Sequence, residues 1–165
     1  MKPRLRVSRG LMPVLLGVAL AASGASVRAE PESRRGGAEG RHAVIAIEIV
    51  SNDRRWTARI DATPVGRDFL AQLPLELTLK NYGGNEKIAD LPRPLTRKDA
   101  PAAATPLAGD VAFYAPWGNL AIFYRNGHHS PGLIPPGRID GGVGGLDNDG
   151  PIKVLLRPVA EVLSK

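Results

Sequence analysis

Hydrophobic side chains in this chain fall in short runs of period two, punctuated by glycine, proline and asparagine. Val44–Val50 is β-branched, interrupted only by Glu48, and reads as a strand. Ser51-Asn52-Asp53 follows as a turn, and Trp56–Asp61 as the second arm of a hairpin. Leu75-Glu76-Leu77-Thr78-Leu79-Lys80 alternates strictly, so Leu75, Leu77 and Leu79 share one inward face. Further strands are expected at Lys87–Leu91, Asp110–Ala115, Asn119–Tyr124, near Leu133–Ile139 and at Ile152–Arg157. Pro92–Gly109 is expected as a long loop, and Gly137–Gly150 as turn-rich. A helical period occurs once. Thr63 suits an N-cap and Pro64 the first helical position. Val65, Phe69 and Leu73, with Leu70 beside them, make one apolar stripe that Pro74 ends. A helix this short is held by docking on a sheet rather than by propensity. Many short strands, one helix and no long repeat favour a closed barrel or sandwich over a βαβ sheet.

The first residues follow another pattern. Lys2, Arg4, Arg6 and Arg9 precede the apolar run Leu11–Ala22, and Val27-Arg28-Ala29 has the small-x-small form of a cleavage site. The run is shorter than the roughly 20 residues that span a bilayer. Residues 1–29 are therefore expected as an export signal cut after Ala29, residues 30–41 as a flexible Gly-rich linker, and 42–165 as the domain. The expected location is the periplasm or the exterior, with no membrane attachment after cleavage.

This reading changes the charge balance. The chain has 22 Lys/Arg and 16 Asp/Glu, net +6. Five of the basic residues (2, 4, 6, 9, 28) and none of the acids lie in 1–29, which leaves 17 against 16, or +1. Basicity thus belongs to the leader, and no nucleic-acid partner is expected. With no cysteine, disulfides and thiolate metal sites are excluded.

Candidate chemistry gathers around Phe113–Tyr124, which holds five of the eight aromatic residues. Trp117, in a Pro-Trp-Gly bend, either caps one barrel end as core or floors a pocket with Tyr114 and Phe123. Tyr82, Glu86 and Lys87 surround Gly83-Gly84, either as a ligand-contacting loop or as an exposed turn with a weak Glu–Lys pair. Arg138 and Asp140 share a strand face, as a charge pair or as cleft residues. The ligand-binding candidates are Tyr82, Glu86, Tyr114, Trp117, Asn119, Phe123 and Arg138. His128 and His129 point apart on an extended chain and lack a third ligand. Asp147-Asn148-Asp149-Gly150 evokes a calcium loop without its ligand spacing, and reads as a tight turn. Gly141–Gly145 is not followed by a phosphate-loop helix. No metal or cofactor is expected, and no catalytic set is identified.

Several segments carry a likeness: Arg67–Leu75, Gly83 with Glu86-Lys87-Ile88, Leu91-Pro92, Gly109-Asp110, Tyr114-Ala115-Pro116-Trp117-Gly118-Asn119, and Gly132-Leu133-Ile134 with Gly137-Arg138-Ile139-Asp140. Over about Val44 to Leu146 the chain resembles the cyclophilin-like family of bacteria and archaea. The resemblance implies a mainly β fold, a small closed cyclophilin-like barrel with one or two short helices, and assigns no activity. Val65-Gly66 departs from the family's small polar residue and alanine, and Gly66 is expected to loosen the helix by roughly 1 kcal/mol relative to Ala. Proline isomerases of the same fold place an arginine over an apolar pocket, against an amide barrier of about 18–20 kcal/mol. Their Phe-His-Arg and Phe-Met-x-Gly-Gly-Asp segments are absent here. The expected function is binding of a small ligand or extended peptide at an aromatic barrel face. The alternative is a divergent peptidyl-prolyl cis-trans isomerase or folding helper.

Overall fold

Alternation along the strands becomes the wall of a barrel. β1 (Val44–Val50) and β2 (Arg55–Asp61) form the expected hairpin, with Val44 opposite Asp61 and Val50 opposite Arg55. In β2, Trp56, Ala58 and Ile60 are buried, while Arg55, Thr57, Arg59 and Asp61 face solvent. β3 (Leu75–Tyr82) points Leu75 and Leu79 into the core and packs Leu77 at its margin. The computed structural model describes residues 42–159. The expected export signal and linker lie outside the described residues.

The remaining wall strands are β4 (Glu86–Asp90), β6 (Asp110–Tyr114), β7 (Asn119–Phe123), β9 (Leu133–Asp140) and β10 (Ile152–Pro158). Two further segments, β5 (Ala103–Ala104) and β8 (Ser130–Pro131), pair with each other outside the wall. The eight wall strands close in the order β1-β10-β3-β4-β7-β6-β9-β2, all antiparallel. Closure removes the exposed sheet edges that invite aggregation. The fold is the mainly β closed barrel expected from the sequence, with a single helix among the described residues.

That helix, α1, spans Pro64–Leu70 and is capped as expected, the Thr63 hydroxyl accepting from the Gly66 N–H at 3.1 Å. Val65 and Phe69 are buried, and the helix packs on β2 and β9. It ends three residues before Leu73. Gly66 corrects the sequence reading. A methyl group there would be driven into the Asp61 carbonyl oxygen and against Ile60. Glycine is therefore what lets α1 close on the end of β2, and alanine would not improve the helix.

The barrel has apolar packing on both sides of part of its wall. The interior holds Ile47, Ile49, Phe69, Phe113, Leu120, Ile122 and Leu156. A second cluster of Ala112, Ala121, Phe123 and Leu133, joined by Ile88, Ala104 and Tyr114, lies on the opposite face of the same strands. All five residues of β7 are consequently buried. The Gly/Asp-rich segment after Asp140 also packs on the barrel. Leu146 is fully buried in the core, and the Trp56 indole N–H donates to the Gly144 carbonyl at 3.2 Å. The residues that evoked a calcium loop hold a protein cation instead. The fully buried Lys87 Nζ donates to Asn148 O (2.9 Å), Asn148 Oδ1 (2.7 Å) and Gly150 O (2.7 Å).

Candidate ligand-binding cavity

Side chains on a strand alternate between faces, so the neighbours of inward Lys87 and Ala89 point outward. Glu86 and Ile88 on β4 share that outer face with Asn119, Ala121 and Phe123 on β7 and Tyr114 on β6. They line a cavity of about 330 Å³, within the size range of small-molecule sites. Tyr82, at the end of β3, stands directly across from Glu86, which in turn faces Phe123 across the β4–β7 ladder. Gly83 and Asn85 from the β3–β4 turn, and His128, Ser130 and Leu133 beyond β7, complete the lining.

The β6–β7 turn sets the position of Trp117. The N–H groups of Trp117 and Gly118 both donate to the Tyr114 carbonyl, at 3.2 and 2.9 Å. Gly118 takes φ 70°, a value that side-chain-bearing residues adopt at a cost. This tight reversal holds the indole outside the barrel, where it is 54% exposed. Trp117 therefore does not cap the barrel as core. It meets Tyr82 at 5.1 Å between centroids and 85°, and Tyr114 at 5.3 Å and 81°. Both are edge-to-face contacts, the arrangement favoured by the ring quadrupoles.

Among the described residues, two polar groups here have no partner, the half-buried Glu86 carboxyl and the fully buried Asn119 Oδ1. Burial pushes the Glu86 carboxyl up to about 7, with no arginine or lysine against it to oppose the shift. The Asn119 side chain is 2% exposed and its Oδ1 is buried without a hydrogen bond. The Asn119 oxygen is closed off from the cavity and its cost belongs to the wall, whereas the Glu86 carboxyl stays open to a complementary partner.

Six of the seven candidates read from the sequence, Tyr82, Glu86, Tyr114, Trp117, Asn119 and Phe123, line this one cavity. Arg138 does not. It lies in a separate groove with Arg59, Asp61 and Asp110. Its guanidinium pairs with Asp110 at 2.6 Å and donates to the Ala108 carbonyl at 2.7 Å, tying β9 to β6. Asp140 pairs with Arg59 across β2 rather than with Arg138. The Glu86–Lys87 pair is not formed either, because adjacent strand residues face opposite sides. The two imidazoles separate: His128 lines the cavity, and His129 Nδ1 lies 3.2 Å from the Thr105 hydroxyl. Among the described residues, no cluster of three His, Cys, Asp or Glu could hold a metal. Ile88, Ala121 and Leu133 were missed as lining residues. Their signal was present, since Ile88 and Ala121 sit two residues from Glu86, Asn119 and Phe123 on the same strand faces.

A sequence model described as the cyclophilin-like family matches residues 49–157. The fold is similar to the solution structure of a hypothetical protein from Archaeoglobus fulgidus, with TM-score 0.58 and 16% identity, over 73% of this chain and 99% of that one. At that identity the likeness concerns the fold. No curated protein matches the chain.

Proposed function

We propose that this chain, which belongs to the cyclophilin-like family, is an exported binding protein that takes a small ligand or an extended peptide on the outer aromatic face of its barrel. One observation carries the reading. The largest exposed aromatic surface and the uncompensated Glu86 carboxyl of the outer wall converge on one cavity of about 330 Å³. A wall built only for packing would cover Trp117 and Tyr82, which are 54% and 46% exposed. Fold membership itself assigns no function.

Proline isomerisation receives less support. It needs a cation over the twisting amide, and the cavity lining contains neither arginine nor lysine. Arg138, the one arginine among the candidates, is engaged by Asp110 and Ala108. Export is supported by the basic start, apolar run and small-residue cleavage pattern of residues 1–29.

A thermal-shift screen of the protein against peptides and small molecules tests the binding reading. Saturable stabilisation that disappears in Trp117→Ala is expected. A protein indifferent to every compound, or one whose shifts survive that substitution, would overturn it. A protease-coupled proline-peptide assay addresses the alternative, for which turnover abolished by a cavity substitution would be decisive. Fractionation of the producing cell should find the protein outside the cytoplasm with its first residues removed.

A further inference from the structure

We infer that the cavity receives an organic cation, an ammonium or guanidinium group, seated among Tyr82, Tyr114 and Trp117 and facing Glu86. The inference rests on the binding reading above and specifies the chemistry of its ligand.

Among the described residues, the half-buried Glu86 carboxyl on the cavity wall has neither an arginine nor a lysine against it. An ionised carboxylate only accepts, so the partner that suits it brings positive charge or an N–H or O–H donor. Ser130 does not supply it, because its hydroxyl donates to the His128 carbonyl at 3.0 Å.

The rings narrow the choice. Trp117 and Tyr82 are 54% and 46% exposed, so ring surface of the Tyr82–Trp117–Tyr114 cluster is open to a ligand. An aromatic face is the negative end of the ring quadrupole and attracts a cation within about 6 Å of the centroid. Aromatic faces and a carboxylate repel an anion together. A neutral apolar ligand would be accepted by the rings but would cover the Glu86 carboxyl without pairing it, at about 1–3 kcal/mol. Only a cationic donor suits both components.

The surrounding charges leave this role open. Lys87, next to Glu86 in sequence, is fixed inside the barrel end by Asn148 and Gly150. Arg125 donates to the Gly84 carbonyl at 2.8 Å. The other titratable groups on the cavity are Tyr82, Tyr114 and His128. A desolvated carboxyl poised near neutrality would give up its proton as the cation arrives, so binding should release protons below about pH 7.

Titration followed by the Trp117 indole signal in ¹H–¹⁵N spectra tests the inference. The probes are choline, its neutral isostere 3,3-dimethyl-1-butanol, arginine amide and the peptide Ala-Arg-Ala. Choline and the arginine compounds are expected to bind at least about tenfold tighter than the neutral isostere. Glu86→Gln should remove that preference while leaving the weak binding of the neutral compound. Tighter binding of Ala-Arg-Ala than of arginine amide would assign the cation to a peptide side chain, and the reverse order to a free small molecule. Equal binding of choline and its isostere, or cation binding unchanged in Glu86→Gln, would overturn the cation assignment while the binding reading stands. If no probe moves the Trp117 signal, the cation assignment fails, and the broader thermal screen then decides the binding reading separately.

Discussion

Glu86 and Lys87 are adjacent charges with opposite fates, and each has a measurable consequence. Burial raises the Glu86 carboxyl to about 7. Its unfolded value lies near 4.3, so between about pH 4.3 and 7 the folded state holds more protons than the unfolded one. Stability should therefore fall as pH rises through that window and stay lower above it. Glu86→Gln should flatten this dependence and stabilise the protein at pH 8 by on the order of 1–2 kcal/mol, a figure reduced for water at the cavity mouth. Urea midpoints of both proteins at pH 5 and pH 8 provide the check. A Glu86→Gln protein no more stable at pH 8 would contradict the assigned burial. For Lys87, burial pushes the ammonium below the usual lysine range, with Asp149 and Asp147 opposing. Its three hydrogen bonds still make it the centre of the Asn148–Gly150 turn. Lys87→Met would leave Asn148 Oδ1 and Gly150 O unpaired, while Asn148 O keeps the Asn81 amide as donor, and should cost about 3 kcal/mol. Early proteolysis between residues 141 and 151 would accompany the loss. Glu86 was among the cavity candidates read from the sequence, but the burial of Lys87 was not legible there, where the alternative for Glu-Lys after a glycine turn is a weak exposed pair. The partners that bury Lys87 lie 61 and 63 residues away.

At the scale of elements, legibility followed solvent. β2 and β3 alternate because one face meets water, so their boundaries and inward residues could be read directly. β6 and β7 carry no alternation because both faces are covered. The sequence therefore showed a continuous aromatic run without showing which rings face which way. In the barrel, Phe113 goes inward and Tyr114 and Phe123 outward. The β5–β8 pairing could not be read, since two residues of Ala-Ala and Ser-Pro have no period. For α1, the cap was legible in Thr63-Pro64, but the role of Gly66 was not. Helix propensity alone favours alanine there by roughly 1 kcal/mol. The nearby Asp61 carbonyl reverses the sign. Gly66→Ala should destabilise the protein by about 1–3 kcal/mol, the usual cost of overpacking. Thermal unfolding measures this, and a gain in stability would mean that α1 can shift away from β2 freely.

Over the whole molecule, the double layer of apolar packing separates what folds the barrel from what its outer face presents. The interior cluster closes the barrel, and the outer cluster supports the cavity floor. Phe123 and Trp117 both line that cavity, yet they belong to different parts of this division. Phe123 is 4% exposed and packs in the outer cluster, whereas Trp117 is 54% exposed and held out by its turn. Phe123→Ala should remove packed area and cost about 3 kcal/mol. Trp117→Ala removes mostly hydrated area, and its cost should stay below about 1 kcal/mol. If Trp117 serves recognition, the order reverses for binding: Trp117→Ala should abolish the thermal shift produced by a ligand in a protein of nearly unchanged stability. Denaturant melts of the two variants, with and without ligand, test both halves together. A Trp117→Ala protein as damaged as Phe123→Ala would place the indole in the scaffold, and the aromatic face would lose its best argument for recognition. The expected contrast has a physical origin. A closed barrel derives its stability from strand pairing and its filled interior, so a few large side chains on its outer wall can remain half exposed at little cost to the fold.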